Sequence, residues 1–91
     1  MDGFRENVSI SNQIGVEFLL IDLDVAMTFM AVAETSQNDE TFRRNYDNAR
    51  TAHDTVVHLL TKLTPNVEER KVIDAKLAVL KMRLQAAGYQ W

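Results

Sequence analysis

The chain has 91 residues, of which 46% are apolar and 25% charged, a balance typical of one globular domain rather than of a disordered segment. Its net charge of −3 disfavours nucleic acid as a partner, and the absence of cysteine excludes disulfides, thiolate metal sites and cysteine nucleophiles. A chain this short buries a modest fraction of its surface, which disfavours a deep catalytic cavity. We therefore expect a single domain over residues 1–91 and a cytoplasmic location.

The N-terminal part of the sequence has the pattern of neither a signal peptide nor a membrane span, and we expect neither there. Residues 1–13 include acidic side chains and lack an apolar core, and residues 1–12 are a candidate flexible segment. The most apolar run, residues 18–33, contains Asp22 and Asp24 and is shorter than the ~20 largely uncharged residues that cross a bilayer. This run predicts a core helix and no membrane partner.

Three long segments have helical periodicity, and turn-forming residues separate them. We expect helices at about 14–36, 39–63 and 66–87. Because the connections are short, neighbouring helices run antiparallel, which predicts an all-α, up-down-up three-helix bundle.

The residues at the helix ends leave some alternatives open. Asn38 or Asp39 caps the second helix. The third begins either with Thr64 as cap and Pro65 at the first helical position, or with Asn66 as cap and Glu69 three residues later. Gly88 ends the third helix, and residues 89–91 either fray or dock on the bundle.

The second helix has an apolar seam that includes a histidine. Alternating steps of four and three join Phe42, Tyr46, Ala49, His53, Val56, Leu60 and Leu63. Asp54 and His58 lie outside the seam, on a charged outer face with Arg43, Asp47 and Arg50. At ~100° per residue, His58 is roughly 140° around the helix from His53, so one metal ion cannot be held by both.

Asp22 is the matching polar residue of the first helix. It is expected on an apolar arc with Phe18, Val25, Phe29 and Ala33, where a lone carboxylate is costly without a partner. A hairpin that turns at residues 37–39 brings residue 22 level with about residue 55. We therefore predict a buried polar pair between Asp22 and His53, with a packing role favoured over catalysis or pH sensing.

The third helix has two apolar stripes. The first comprises Ile73, Leu77, Leu80 and Leu84. The second, here named the Val–Met stripe, comprises Val72, Ala75, Val79, Met82 and Ala86. A helix packed against two others needs a broad apolar arc, so the bundle alone can account for both stripes. The second stripe is set apart from the first and contains small residues and a methionine, which also makes it a candidate contact surface, with Val72, Ala75, Val79 and Met82 as predicted partner-binding residues.

Sequence motifs of enzymes and cofactor sites are absent. There is no glycine-rich phosphate loop, nucleophile elbow, HExxH motif or EF-hand loop. Asp54 and His58 supply two metal ligands at most, whereas a catalytic zinc site requires three protein ligands. We therefore predict no enzyme activity, no cofactor and no metal site.

The layout over residues 16–87 resembles microtubule-interacting-and-trafficking (MIT) domains and the helical hairpins of tetratricopeptide repeats. The matching residues are Tyr46, Ala49, Lys71, Ile73, Lys76, Leu80 and Arg83. Residues 33–63 also resemble short helical proteins from bacterial genomes. The first resemblance implies a groove that receives a partner helix or peptide.

Two functions follow as expectations. The favoured function is a non-enzymatic interaction or scaffold module that binds a partner helix, or forms a homodimer, through the Val–Met stripe. The alternative is a small metal- or ligand-responsive protein that uses Asp54 with His58, or Asp22 with His53.

Overall fold

A computed structural model describes the backbone of residues 2–91 and the side chains of residues 11–91. Over this part of the chain it contains three helices and no strand: α1 (Asp2–Thr35), α2 (Asp39–Leu60) and α3 (Val67–Ala86). Each helix packs against the other two. The predicted all-α three-helix bundle is therefore confirmed.

Two helix ends differ from their predicted positions. α1 begins at Asp2 rather than near residue 14, because no proline interrupts the chain before Thr35 and an isolated glycine weakens a helix without ending it. α2 ends at Leu60 rather than at residue 63, and a tighter turn follows it, in which the Thr61 and Lys62 N–H groups donate to the carbonyls of His58 and Leu59. The predicted flexibility of residues 1–12 stays a prediction, and residue 1 lies outside the described residues.

The N-terminal caps resolve the open alternatives. The Asn38 side chain accepts a hydrogen bond from the Thr41 N–H at 3.0 Å, so Asn38 caps α2. Asn66 and Glu69 form a reciprocal capping box at the start of α3. Thr64 instead fixes the α2–α3 connection to α1, because its N–H donates to Asn12 Oδ1 at 2.6 Å and its carbonyl accepts from Asn12 Nδ2 at 2.9 Å.

Gly88 ends α3, as predicted. The Tyr89 N–H donates to the Leu84 carbonyl at 3.1 Å, and the Gly88 N–H donates to the Gln85 carbonyl at 3.0 Å. This is the paired pattern of a Schellman motif, which places the residue after the cap in the left-handed region. Gly88 meets that requirement with φ of 103°.

The core lies along a heptad-spaced seam from each helix. Its buried apolar residues are Val16, Leu19, Leu23, Ala26, Met30, Ala33, Tyr46, Ala49, Val56, Ile73, Leu80 and Leu84. Four residues of the predicted seam of α2 are buried, and Phe42 is exposed. Leu60 and Leu63 are half-buried against the core, and Leu63 lies beyond the end of α2. The arc predicted around Asp22 is wrong at Phe18 and Val25, which lie on the solvent side of α1, whereas Ala33 is buried and Phe29 is half-buried against the core.

Polar contacts fix how α1 packs against its neighbours. Lys76 on α3 forms an ion pair with Asp24, and Arg83 Nε donates to Glu34 Oε1 at 2.8 Å.

On the α2 side, Leu63 fills the space beside Gly15, where an added Cβ would lie 2.7 Å from Leu63 Cδ2. Gly15 therefore permits close approach of the residues that follow α2.

Candidate functional site

The Val–Met stripe forms part of the exposed face of α3. Val72, Val79 and Met82 are between 40% and 62% exposed, and both alanines of the stripe are also exposed. Of the first stripe, Ile73, Leu80 and Leu84 are buried and Leu77 is half-buried. The two stripes of α3 therefore lie on different surfaces, one within the bundle and one on its exterior.

His53 lies in the core seam of α2, as its spacing predicts. The residue is buried, with 5% of its surface exposed, and it shares the seam with the buried residues Ala49 and Val56. Its Nδ1 lies 3.0 Å from Asp54 Oδ1. Because an ionised carboxylate only accepts hydrogen bonds, Nδ1 carries the proton of this bond.

The predicted pair between Asp22 and His53 does not form. Asp22 makes no hydrogen bond or ion pair with any described side chain, and it is only half-buried. The physical reason is that Asp22 lies beside the seam of α1 rather than on it, since the seam passes through Leu19, Leu23 and Ala26. The imidazole instead bonds to the residue next to it in sequence.

Asp54 connects His53 to the surface charges of α2. Its Oδ2 accepts from Arg50 Nε at 3.0 Å. Partial burial raises the pKa of Asp54, but hydrogen bonds from His53 and Arg50 and the positive charge of Arg50 outweigh it, so the pKa lies below its ordinary value of 3.8. His53 is buried and Asp54 is exposed, as predicted for two different faces of α2, but their side chains nevertheless reach each other.

A metal ion at Asp54 and His58 would have to compete with existing contacts of Asp54. Oδ1 already bonds to His53 and Oδ2 to Arg50. Among the described residues, no group of three or more His, Asp or Glu side chains is placed to hold one metal ion. The structure therefore offers no preformed cation site of the usual ligand number in the part of the chain that it describes.

The segment after α3 docks onto α2. The indole of Trp91 packs edge to face against His53, with ring centroids 5.0 Å apart. The guanidinium of Arg50 lies 3.7 Å from the Trp91 ring centroid, and its Nη1 donates to the Gln90 carbonyl at 3.0 Å. Arg50 thus contacts the backbone of Gln90 and the indole of Trp91, and it also donates a hydrogen bond to Asp54.

Tyr89 is a second anchor of this segment. Its hydroxyl donates to Asp47 Oδ1, and its ring lies 6.2 Å from that of Tyr46. Burial, together with the hydrogen bond to Asp47 and the negative charge of that residue, raises the pKa of Tyr89 to about 12. Of the two alternatives for residues 89–91, docking is therefore the one observed.

A further exposed apolar surface on α1 was not predicted. It is named the Ile–Phe stripe and consists of Ile14, Phe18, Ile21, Val25 and Val32. These side chains are between 42% and 60% exposed. Their spacing of four, three, four and seven residues is visible in the sequence. Because apolar residues lie on every side of this helix, however, the spacing does not distinguish this stripe from the core seam.

No protein family, curated protein or solved structure matches this chain. The resemblance to MIT domains and tetratricopeptide hairpins therefore stays a prediction. No helix in the described part of the chain combines the length and apolar character that crossing a bilayer requires.

Proposed function

We propose that this chain is a non-enzymatic helical interaction module that binds a helix of another protein along the Val–Met stripe. The supporting observation is the exposure of Val72, Val79 and Met82 on a helix whose other apolar stripe is buried in the core. Apolar residues repeated at steps of three and four form the surface that a docked helix contacts. A cytoplasmic location, a bacterial origin and MIT-like docking belong to the same proposal.

The composition of the stripe suits a helix as its ligand. Exposed Ala75 and Ala86 allow a second helix to approach closely, because interhelical distance depends on the side chains at the contact. Met82 supplies an unbranched, adaptable side chain. Lys76 and Arg83 are committed to ion pairs with α1, so the apolar residues rather than these charges recognise the partner.

Affinity co-purification from the native host tests this function with matched variants. Val79→Lys places a charge in the stripe, and Thr55→Lys places the same charge on the exposed side of α2. We expect specific proteins to co-purify with the wild type and with Thr55→Lys, and to be lost with Val79→Lys. Proteins retained by all three chains, or captured by none, would contradict the proposal.

Light scattering distinguishes a partner protein from self-association. We expect the isolated chain to be a monomer whose mass Val79→Lys leaves unchanged. A dimer that Val79→Lys converts to a monomer would instead assign the Val–Met stripe to the homodimer considered from the sequence.

A further inference from the structure

The Ile–Phe stripe gives α1 a second apolar face. The core residues Val16, Leu23 and Met30 are fully buried on one side of the helix, whereas Phe18 and Ile21 are more than half exposed on the other. Apolar side chains on the core side stabilise the bundle, but those on the solvent side have no counterpart among the described residues. Contiguous exposed apolar surface of this kind is typical of interaction sites.

The stripe is long enough to contact several turns of a partner helix. Ile14 and Val32 are separated by about 27 Å along the axis, at 1.5 Å per residue. At its Ile14 end the stripe opens into a groove of about 420 Å³, where Leu59 and Leu63 add apolar surface beside Phe18. A partner helix laid along the stripe would place one apolar side chain in this groove.

The charged residues that α1 itself places beside the stripe are acidic, whereas Lys62, in the connection after α2, lines the groove at the Ile14 end. No lysine, arginine or histidine occurs between residues 6 and 42. Asp24 and Glu34 are paired with basic residues of α3, whereas Glu17 and Asp22 form no ion pair with a described side chain. These two carboxylates lie on either side of the stripe, at ~100° per residue.

This charge distribution selects the kind of partner. Two copies of α1 packed along their stripes would bring Glu17 and Asp22 close to the same carboxylates of the other copy, which disfavours a homodimer. A helix with Lys or Arg beside its apolar seam would pair with both carboxylates. Complementarity therefore favours a basic partner over a second copy of this chain.

We propose that the Ile–Phe stripe is a second docking surface, which binds an amphipathic helix of a partner protein with basic residues beside its apolar seam. This surface lies on α1 and is independent of the Val–Met stripe on α3. Binding combines burial of Phe18 and Ile21 with pairing at Glu17 and Asp22. Because exposed charge pairs are screened by salt, affinity decreases as ionic strength rises.

Two synthetic peptides of about three heptads provide the probes. Both carry leucine at the seam positions, one with lysine and the other with glutamate at the flanking positions. Titration into the isotope-labelled chain, followed by amide chemical shifts, locates the binding surface. We expect the lysine peptide to shift resonances of residues 14–32 together with Leu59 and Leu63, and the glutamate peptide to leave these resonances unchanged.

Matched variants separate this surface from the Val–Met stripe. We expect Ile21→Lys to weaken binding of the lysine peptide by about tenfold or more, and Val79→Lys to leave it within about twofold. The double variant Glu17→Gln and Asp22→Asn should weaken binding and reduce its dependence on salt. Circular dichroism and thermal unfolding verify that each variant keeps the fold.

Several outcomes would overturn the proposal. They are no shifts of residues 14–32 with the lysine peptide, equal shifts of these residues with both peptides, shifts confined to α3, or shifts of residues 14–32 that Ile21→Lys leaves intact. A dimer of the free chain that Ile21→Lys dissociates and Val79→Lys does not would assign the stripe to a second copy. Because Val79→Lys tests the Val–Met stripe separately, the proposal for one surface can be refuted while the proposal for the other is upheld.

Discussion

His53 and Trp91 pack edge to face, with ring centroids 5.0 Å apart and an interplanar angle of 67°. The imidazole can occupy the core seam of α2 because the indole covers it and Asp54 Oδ1 accepts a hydrogen bond from its Nδ1 at 3.0 Å. No buried polar atom of a described side chain lacks a hydrogen-bond partner. His53 is therefore a core residue with a hydrogen-bond partner, and it connects the bundle to the segment after α3.

Replacement of His53 tests this structural role. His53→Ala removes a buried ring, its contact with Trp91 and the bond to Asp54, so we expect a loss of about 1–3 kcal/mol in the free energy of unfolding. His58→Ala changes an exposed histidine of the same helix and should stay within about 0.5 kcal/mol of the wild type. Urea unfolding of the three proteins measures both values, and equal effects of the two substitutions would contradict the role.

The contrast between α1 and α2 shows what the sequence can predict. In α2, polar residues on the outer face isolate one apolar seam, so the inward direction of His53 follows from spacing alone. In α1, apolar residues such as Phe18 and Val25 also lie on the solvent side, and the spacing fits more than one face. The choice of seam depends on packing against the other helices, which is why the position of Asp22 was assigned wrongly.

The contacts of residues 89–91 were beyond prediction for a different reason. Arg50 bonds to Gln90 across 40 residues of sequence, and no local pattern specifies that partner. Nor does helical spacing predict the bond between His53 and Asp54, because side-chain rotation brings together atoms whose Cα positions differ by ~100° around the helix. The helix-end signals are local: Gly88 was predicted as the end of α3, and Asn66 was one of the two caps predicted for its start.

Arg50 is expected to hold the indole of Trp91 in place. The chain contains one tryptophan, so its fluorescence reports on this segment alone. Arg50→Met removes the cation–π contact, worth about 0.5–1 kcal/mol at an exposed site, and the bond to Gln90. We expect Trp91 to become more accessible to a soluble quencher, whereas Arg44→Met, which affects only an exposed pair with Glu40, should leave quenching unchanged. Equal quenching in all three proteins would refute this anchoring.

We expect substitution of Gly88 to destabilise the fold, although there is open space around this residue. An added Cβ would meet no atom within 4 Å, but φ of 103° is strained for residues other than glycine. We expect Gly88→Ala to lower the free energy of unfolding by about 1–2 kcal/mol and Gly88→Asn to lower it less, because asparagine tolerates left-handed geometry better. Thermal unfolding compares the two, and an unchanged melting temperature for Gly88→Ala would contradict the strain.

The hydrogen bond between Tyr89 and Asp47 predicts a loss of stability at alkaline pH. Burial and the neighbouring carboxylate raise the pKa of Tyr89 from 10.0 to about 12, so the folded chain holds the phenolic proton more tightly than the unfolded chain. The resulting stabilisation is complete below pH 10 and decreases as pH rises towards 12. Asp47→Asn should lower the pKa of Tyr89, but not fully to its ordinary value, because burial remains the larger cause.

Phenolate absorbance as a function of pH measures this shift, and Tyr89→Phe identifies which titration belongs to Tyr89 rather than to Tyr46. Asp74→Asn removes a carboxylate that is paired with Arg70 on α3, and it serves as the control of equal charge. We expect the Tyr89 titration to move in Asp47→Asn and to stay in place in Asp74→Asn. If Tyr89 titrates near pH 10 in the folded wild type, its hydroxyl is not held by Asp47, and the segment docks through Trp91 and Gln90 alone.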